Sequence, residues 1–423
     1  MRILAAGKTD VGRKRHRNED AIVIAPDLSL YIVCDGMGGH AAGEVASATA
    51  TATVVRYVRD HRARIDAFDD SNAARDTLVK LVEEAIQQAS AAVFAIATSE
   101  SGKAGMGTTL TMVLCTRTIG IMGHVGDSRL YLRRGGRVYQ LSEDHTYVAE
   151  LVKRGMATAE QAKAGPYANV ITRAVGIQKS IRPDTLIFDI LPGDTLMLCS
   201  DGLTKYLESN DELGPFLDAD DVDPAPGRLV DLANERGGGD NVSVVMLRAV
   251  PDEEEDANDG GRTTEVNLKL DTLRHVVLFR HLDMSEQCKV LSIVRAVDVA
   301  PGEVIINEGE TSDALYAIIK GKLEVERGGS PVRVLESGEH FGEMALFNAR
   351  PRSATVRAKT AARLLVVERM RFNELLKKEP QLAVKLLWSF AQVLSLRLDD
   401  VNSLLYGVPQ TSFETEITSP FKV

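Results

Sequence analysis

The spacing of apolar residues along the first 250 positions changes period several times. AIVIA (21–25) and SLYIVCDG (29–36) are short, nearly continuous apolar runs and read as strands, the second ending at a glycine-rich turn. Residues 42–60 and 72–98 are alanine-rich with apolar positions at helical spacing, which predicts two amphipathic helices. TTLTMVLCT (108–116), TIGIMGHVG (118–126) and SRLYLRRGGRVYQL (128–141) then run as strand, turn, strand, with Gly135-Gly136 as a hairpin turn. LIFDILPGDTLMLCSDGL (186–203) and NVSVVMLRAV (241–250) repeat that logic. Successive hairpins predict mostly antiparallel sheets. The helices are grouped rather than alternating with strands, so the class is α+β and a doubly wound parallel sheet is excluded.

Beyond residue 273 the rhythm differs. Short β-rich runs (EVIIN, LYAIIKGKLEVER, PVRVL, ATVRA, ARLLVVE) are punctuated by Gly302, Gly309, Gly321, Gly328, Gly329, Gly338 and Gly342, which predicts a β-roll or jelly-roll with flanking helices. Pro380 is placed to open the last helix at its first position, with Leu382, Leu386, Phe390, Val393, Arg397 and Val401 near one face.

Composition adds boundaries and exclusions. The chain has 423 residues, 44% hydrophobic and 26% charged, as in an ordinary globular protein. The formal net charge of −10 disfavours nucleic acid as a partner. Residues 252–259 (DEEEDAND) hold six acids and no base, so this one segment carries most of the imbalance, and with Gly260-Gly261 it reads as a solvated linker. The expected organisation is a domain over 1–250, a linker over 251–272, a second domain over 273–405 and a tail over 406–423. No run reaches the ~18 apolar residues of a membrane span, and no secretory apolar core is present near the N-terminus. Cys34, Cys115, Cys199 and Cys288 lie far apart without a CxxC, which reads as reduced core thiols in a cytoplasmic protein.

Four aspartates end apolar runs and precede a small or polar residue: Asp35-Gly36, Asp127-Ser128, Asp201-Gly202 and Asp240-Asn241. One Asp-Gly alone reads as a turn. Four at strand ends read as acids projected from a rigid sheet, and oxygen-only clusters suit Mg²⁺ or Mn²⁺ better than Zn²⁺. RHRNED (15–20), DGMGGHAAGEVAS (35–47), GMGTTL (105–110), GDSRLY (126–131), SDGL (200–203) and GDNVS (239–243) resemble, in order, the motifs of the metal-dependent protein phosphatases of the 2C type in their compact bacterial form. The resemblance covers about residues 1–248. It implies an α-β-β-α sandwich of two antiparallel sheets and a Ser/Thr phosphoprotein phosphatase using two Mn²⁺ or Mg²⁺ ions, with a third, weaker one. It implies that Asp35 bridges the ions, with the Gly36 carbonyl and water-mediated Glu19 on the second. It implies that Asp201 and Asp240 complete the surroundings of the first ion, and that Asp127 with Asp201 holds the third ion. Asp20 is implied as support. A water between two such ions supplies hydroxide at neutral pH and attacks phosphorus without a covalent phospho-enzyme. The resemblance gives Arg15 the phosphoryl oxygens and His40 the leaving oxygen as general acid. By themselves, Arg15 in RKRHR also reads as a solvated arm and His40 as a helix-start histidine without catalytic duty. Residues 144–185 match the family's flap beside the site; their ELVKRG stretch reads equally as a surface helix.

FGEMALFNARPRSATVRA (341–358) carries the second chemistry. A Gly-Glu pair opens a helical turn, and nine residues later Arg352 follows Pro351 and precedes a strand. Turn N–H groups of the Gly342 turn and Arg352 suit a cyclic phosphodiester, while Glu343 accepts from a ribose hydroxyl. From about 274 to 400 the chain resembles cyclic-nucleotide-binding domains, as in protein kinase regulatory subunits and bacterial catabolite activators. Ser353 accompanies cAMP in the bacterial activators, so cAMP is favoured and cGMP stays open. Trp388, Phe390 or Arg397 covers the purine, unless these aromatics belong to the core. The expected partners are phosphorylated Ser/Thr proteins, a cognate Ser/Thr kinase, the nucleotide, and a second copy through the C-terminal helix, with no nucleic acid and no membrane. Two rival readings remain at this point: a pseudophosphatase acting as a nucleotide-dependent protein-binding sensor, and a constitutive phosphatase whose degenerate roll only dimerises.

Overall fold

Leu30 to Cys34 are all buried, so the strand they form is covered on both faces. In the computed structural model this strand, β3 (Leu30–Met37), lies between β2 (Asp20–Ala25) and β5 (Leu110–Cys115) in a sheet that continues through β6 (Ile119–Val125) to β9 (Asp184–Asp189). The short β4 (Gly107–Thr108) pairs with β3 beside β5. Alternation in β3 sends Leu30, Ile32 and Cys34 to a core shared with the helices Ala42–Asp60 and Asn72–Ser99. Ala46, Ala50, Ala85 and Ala89 in that core let helix backbones approach closely. Ser71 caps the second helix by accepting from the Ala74 N–H at 3.2 Å.

A second antiparallel sheet runs in the order β1 (Arg2–Asp10), β11 (Val242–Val250), β10 (Thr195–Cys199), β7 (Arg129–Arg134), β8 (Arg137–Gln140). Its outer face packs on the Pro224–Glu235 helix through Leu229, Val230, Val244 and Met246. Strands β10 and β11 lie against β2 and β3 of the first sheet. The result is the expected α-β-β-α sandwich. The Gly135-Gly136 hairpin joins β7 to β8, both glycines with positive φ.

The structure describes residues 1–423 apart from 39–41, 101, 159–160, 162–166, 168–169, 220, 253–255, 349–350 and 407–423. The described chain divides into two units, Met1–Thr263 and Thr264–Val423. In the second, two four-stranded antiparallel sheets form the predicted roll: β12 (Val294–Val299), β19 (Ala362–Glu368), β14 (Ala314–Lys320), β17 (His340–Phe341), and β13 (Val304–Ile306), β18 (Thr355–Ala358), β15 (Leu323–Arg327), β16 (Ser330–Leu335). Gly321 turns at φ 101°, where a Cβ would come within 2.6 Å of the Ala361 carbonyl oxygen. The last helix opens at Pro380, as its sequence predicts. All four cysteines are buried. Among the described residues, no helix is long and apolar enough to cross a membrane.

One expectation is overturned. The stretch 251–272, read as a coil, is helical from Asp256 to His275. Val266, Leu270 and Leu273 recur at helical spacing and are buried, with Leu273 in the core of the roll. Acids at the start of a helix also favour its dipole, so the charge run that reads as solvated chain instead leads into a helix.

The sandwich holds a titratable group of its own. His124 on β6 is fully buried; its Nε2–H donates to the Glu143 carbonyl at 2.9 Å and its Nδ1 meets the Thr111 hydroxyl at 2.9 Å. Burial foremost, with His145 beside it, lowers its pKa to about 4. Between pH 6.5 and 4 the unfolded chain therefore binds a proton that the folded chain refuses, so stability falls as pH falls through that window. His124→Gln removes this dependence, worth about 3 kcal/mol at most. In thermal unfolding, the stability difference between the parent and this variant is expected to shrink steadily from pH 7 to pH 4.5.

Candidate active site

Strand register gathers the acids. Asp20 faces Asp35 across β2 and β3, Asp127 follows the end of β6, Asp201 follows the end of β10, and Asp240 precedes the start of β11. Asp20 Oδ2 accepts from Ser200 Oγ at 2.9 Å and Ser243 Oγ at 2.7 Å, which ties β2 to both central strands of the other sheet. Asp35 is fixed through its backbone: its N–H donates to Thr109 Oγ1 at 2.8 Å, and its carbonyl accepts from Thr108 Oγ1 at 2.9 Å. Thr109 in turn meets Ser128 Oγ at 2.7 Å, next to Asp127. Glycine is required at two of these ends. A Cβ on Gly36 would lie 2.1 Å from the Gly43 carbonyl oxygen, and one on Gly202 would lie 1.9 Å from that of Asn241.

Asn241 was visible in the sequence only as the neighbour of Asp240, yet it organises the basic loop. Its Oδ1 accepts from the Glu19 N–H at 2.8 Å, and its Nδ2 donates to the carbonyls of Arg17 at 2.8 Å and Val11 at 2.9 Å. Ser47 Oγ also holds this loop, donating to the Glu19 carbonyl at 2.6 Å. The loop thus delivers Glu19 against Gly43, where a Cβ would meet its carboxylate at 2.9 Å. It also delivers Arg15, whose Nη2 lies 2.9 Å from Asp240 Oδ1. His40 lies outside the described residues.

The electrostatics are those of crowded negative charge. Burial first, then the charges of Asp20, Asp201, Asp127 and Asp240, push the Asp35 carboxyl well above the usual carboxylate range. Burial raises Asp20 and Asp127 to about 7. Asp20 Oδ1, Asp127 Oδ1 and Asp201 Oδ1 are buried without a hydrogen-bond partner among the described residues. Buried, unpartnered carboxylate oxygens with no histidine or thiol among them fit hard divalent cations. Among the described residues, no three acidic, histidine or cysteine side chains stand as a ready-made metal cage. A cation of the chain itself stands among them. Lys205 Nζ lies 2.6 Å from Asp201 Oδ2 and 3.1 Å from Asp240 Oδ2. Burial works against the Lys205 charge, but the two carboxylates outweigh it and raise its pKa.

His145 and Asp184, at the two ends of the segment 144–185, are tied to the Asp127 loop. His145 Nδ1 accepts from the Gly126 N–H at 2.9 Å, and its Nε2–H donates to Asp184 Oδ2 at 3.0 Å. Arg173 Nη1 holds the other oxygen of Asp184 at 2.7 Å. The ELVKRG stretch contributes a short helix, Tyr147–Lys153, whose side chains include no buried residue.

In the second unit, Gly342 (φ 81°) and Glu343 precede a one-turn helix, Met344–Phe347, with Glu343 buried. Arg352 is buried too; its Nη2 donates to the Ala314 carbonyl at 2.6 Å and Ser312 Oγ at 2.8 Å, and its Nη1 to the Gly342 carbonyl at 3.3 Å. A Cβ on Gly342 would meet Arg352 Nη1 at 2.5 Å, so the turn and the guanidinium are packed as one piece. Arg352 Nε is buried without a partner among the described residues, and burial lowers the pKa of the group, a cation suited to an anion. Ser312 is a participant that sequence reasoning missed. Ser353 is exposed. Of the three purine-cover candidates, Phe390 stacks on Phe347 at 3.7 Å and belongs to the core, Trp388 is 43% exposed, and the Arg397 side chain lies outside the described residues.

Comparison with known proteins agrees with this fold. The family model for protein phosphatase 2C matches residues 11–220, and that for the cyclic nucleotide-binding domain matches residues 296–379. A putative protein phosphatase 2C-type protein of Streptococcus pyogenes is 37% identical over 245 residues, which span 57% of this chain and 95% of that protein. The serine/threonine phosphatase stp of Listeria monocytogenes is 33% identical over 245 residues, 57% of this chain and 93% of that one. The crystal structure of the Mycobacterium tuberculosis serine/threonine phosphatase PstP superimposes with a TM-score of 0.53 at 33% identity, covering 59% of this chain and all of that one. A crystal structure of the catalytic domain of PstP holds two manganese ions, with a TM-score of 0.51 at 33% identity over 59% of this chain. With these motifs, this fold and these relatives, the chain belongs to the protein phosphatase 2C family and is a serine/threonine phosphatase that carries a cyclic-nucleotide-binding domain.

Proposed function

We propose that the chain dephosphorylates phosphoserine and phosphothreonine proteins, the products of a cognate Ser/Thr kinase, with Mn²⁺ or Mg²⁺ at its acidic centre, and that a cyclic nucleotide controls this activity from the C-terminal unit. The observation that carries the first part is the group of mutually repelling, buried carboxylates around Asp35. Asp35, the Gly36 carbonyl, Asp201 and Asp240 would hold the divalent ions, with Glu19 and Asp127 as further acids beside them. Bound divalent ions supply a nucleophilic hydroxide near neutral pH. The rest falls to the chain itself. Asp20 braces β2 against Ser200 and Ser243. Arg15, half exposed and at the rim, takes the phosphoryl oxygens with its planar fork. His40 gives the proton to the departing serine or threonine oxygen.

Removing divalent ions with EDTA is expected to abolish hydrolysis of an aryl phosphate and of a phosphothreonine peptide, and Mn²⁺ to restore both. Asp240→Asn is expected to lower the Mn²⁺-restored rate by about a hundred-fold or more. A rate insensitive to EDTA sinks the metal assignment.

The buried Arg352 with its unpartnered Nε supports the nucleotide site. The phosphodiester binds Arg352 and the Gly342 turn, Glu343 takes the ribose hydroxyl, and exposed Ser353 favours cAMP over cGMP. In equilibrium dialysis, Arg352→Ala is expected to weaken cAMP binding by about a hundred-fold, the loss of charge-assisted bonds to a phosphate. Phosphatase rate measured against Mn²⁺ is expected to shift with saturating nucleotide in the parent chain and not in this variant. Identical curves with and without either nucleotide rule out the control.

Val384, Leu387, Trp388, Leu394 and Leu398 are exposed along the Pro380–Tyr406 helix at a spacing near 3.5 residues, which supports pairing with a second copy. Sedimentation velocity is expected to show a dimer, and Leu387→Glu with Leu394→Glu a monomer.

A further inference from the structure

Both oxygens of Asp240 are already engaged by cations of the chain: Oδ1 by Arg15 at 2.9 Å and Oδ2 by Lys205 at 3.1 Å. Lys205 also takes Asp201 Oδ2 at 2.6 Å, which leaves Asp201 Oδ1 as a buried, unpartnered oxygen. Lys205 stands four residues after Asp201, just beyond the one-turn helix Asp201–Thr204, so its reach across to Asp240 is set by local geometry. An ammonium in this position does two opposite things. Without other cations it compensates two carboxylates that would repel one another. For an incoming divalent ion it is a competitor, because it occupies lone pairs on both acids and opposes a second positive charge close by.

We propose that Lys205 is a built-in stand-in cation that raises the divalent-ion concentration at which the Asp201–Asp240 position fills. The proposal rests on the metal reading given above. Lys205 is a positioning residue in this role, since it acts through Asp201 and Asp240 and not on the substrate. Arg15 would be released for a phosphoryl group only where a cation also claimed Asp240 Oδ1, the oxygen it holds.

The test is calorimetric titration of the full, EDTA-stripped chain with MnCl₂, together with its thermal unfolding, for the parent, Lys205→Met, Lys205→Gln and Lys205→Arg. Removing the ammonium is expected to tighten Mn²⁺ binding by about ten-fold, the scale at which groups touching metal ligands act. Lys205→Met is expected to unfold at a lower temperature without metal and to gain more from Mn²⁺ than the parent. Lys205→Arg keeps the charge and stays near the parent affinity. Lys205→Gln keeps a hydrogen-bond donor without the charge and decides the matter if the methionine variant does not fold. Equal or weaker Mn²⁺ binding by the uncharged variants overturns the role of Lys205 and leaves the metal centre standing. A parent chain that takes up no Mn²⁺ overturns the metal reading and the proposal with it.

Discussion

Carboxylates buried side by side are costly unless something positive is placed among them. That constraint organises the N-terminal unit. The two sheets bring Asp20, Asp35, Asp127, Asp201 and Asp240 close enough for each to disturb the ionisation of Asp35. Hydroxyls from Ser200 and Ser243 satisfy one oxygen of Asp20, and Arg15 and Lys205 answer Asp240 and Asp201. Among the described residues, three carboxylate oxygens of this cluster stay buried and unanswered, on Asp20, Asp127 and Asp201. The sandwich, with its exacting contacts at Gly36 and Gly202, is a frame built to hold this repulsion in place.

Much of this is legible in the amino-acid sequence. The strands announce themselves because they are apolar on both faces, and the acids stand out because each interrupts such a run at its end. What escaped notice depends on contacts between residues distant in the chain. Asn241 looks like a neighbour of Asp240 until the fold lays it under the Arg17–Glu19 loop. Asp201 and Lys205 look like an ordinary pair four residues apart until Asp240 arrives from β11. Ser312 is one polar residue in a glycine-rich stretch until Arg352 folds onto it. The helix Asp256–His275 was hidden for a different reason: its acids dominate the composition and mask the spacing of Val266, Leu270 and Leu273.

The second unit applies a similar economy with the opposite sign. Arg352 is a buried cation whose guanidinium donates to three neutral oxygens, those of Gly342, Ser312 and Ala314, with the charges of Glu343 and Asp313 acting on it against the cost of burial. Its contact with Gly342 means that the turn and the arginine are shaped together, so neither can be altered alone.

The pairing of β1 with β11 runs from Arg2 opposite Val250 to Asp10 opposite Val242, joining the two ends of the N-terminal unit along its whole edge. The polar clamp beside it, Thr9 to Ser243 and Glu19 to Asn241, spans more than two hundred residues of sequence. Contacts this remote form late and at high entropic cost. During synthesis, therefore, a chain emerging from the ribosome has the other acids of this cluster before it has Asp240, and the cluster stays incomplete until almost the whole unit has been made.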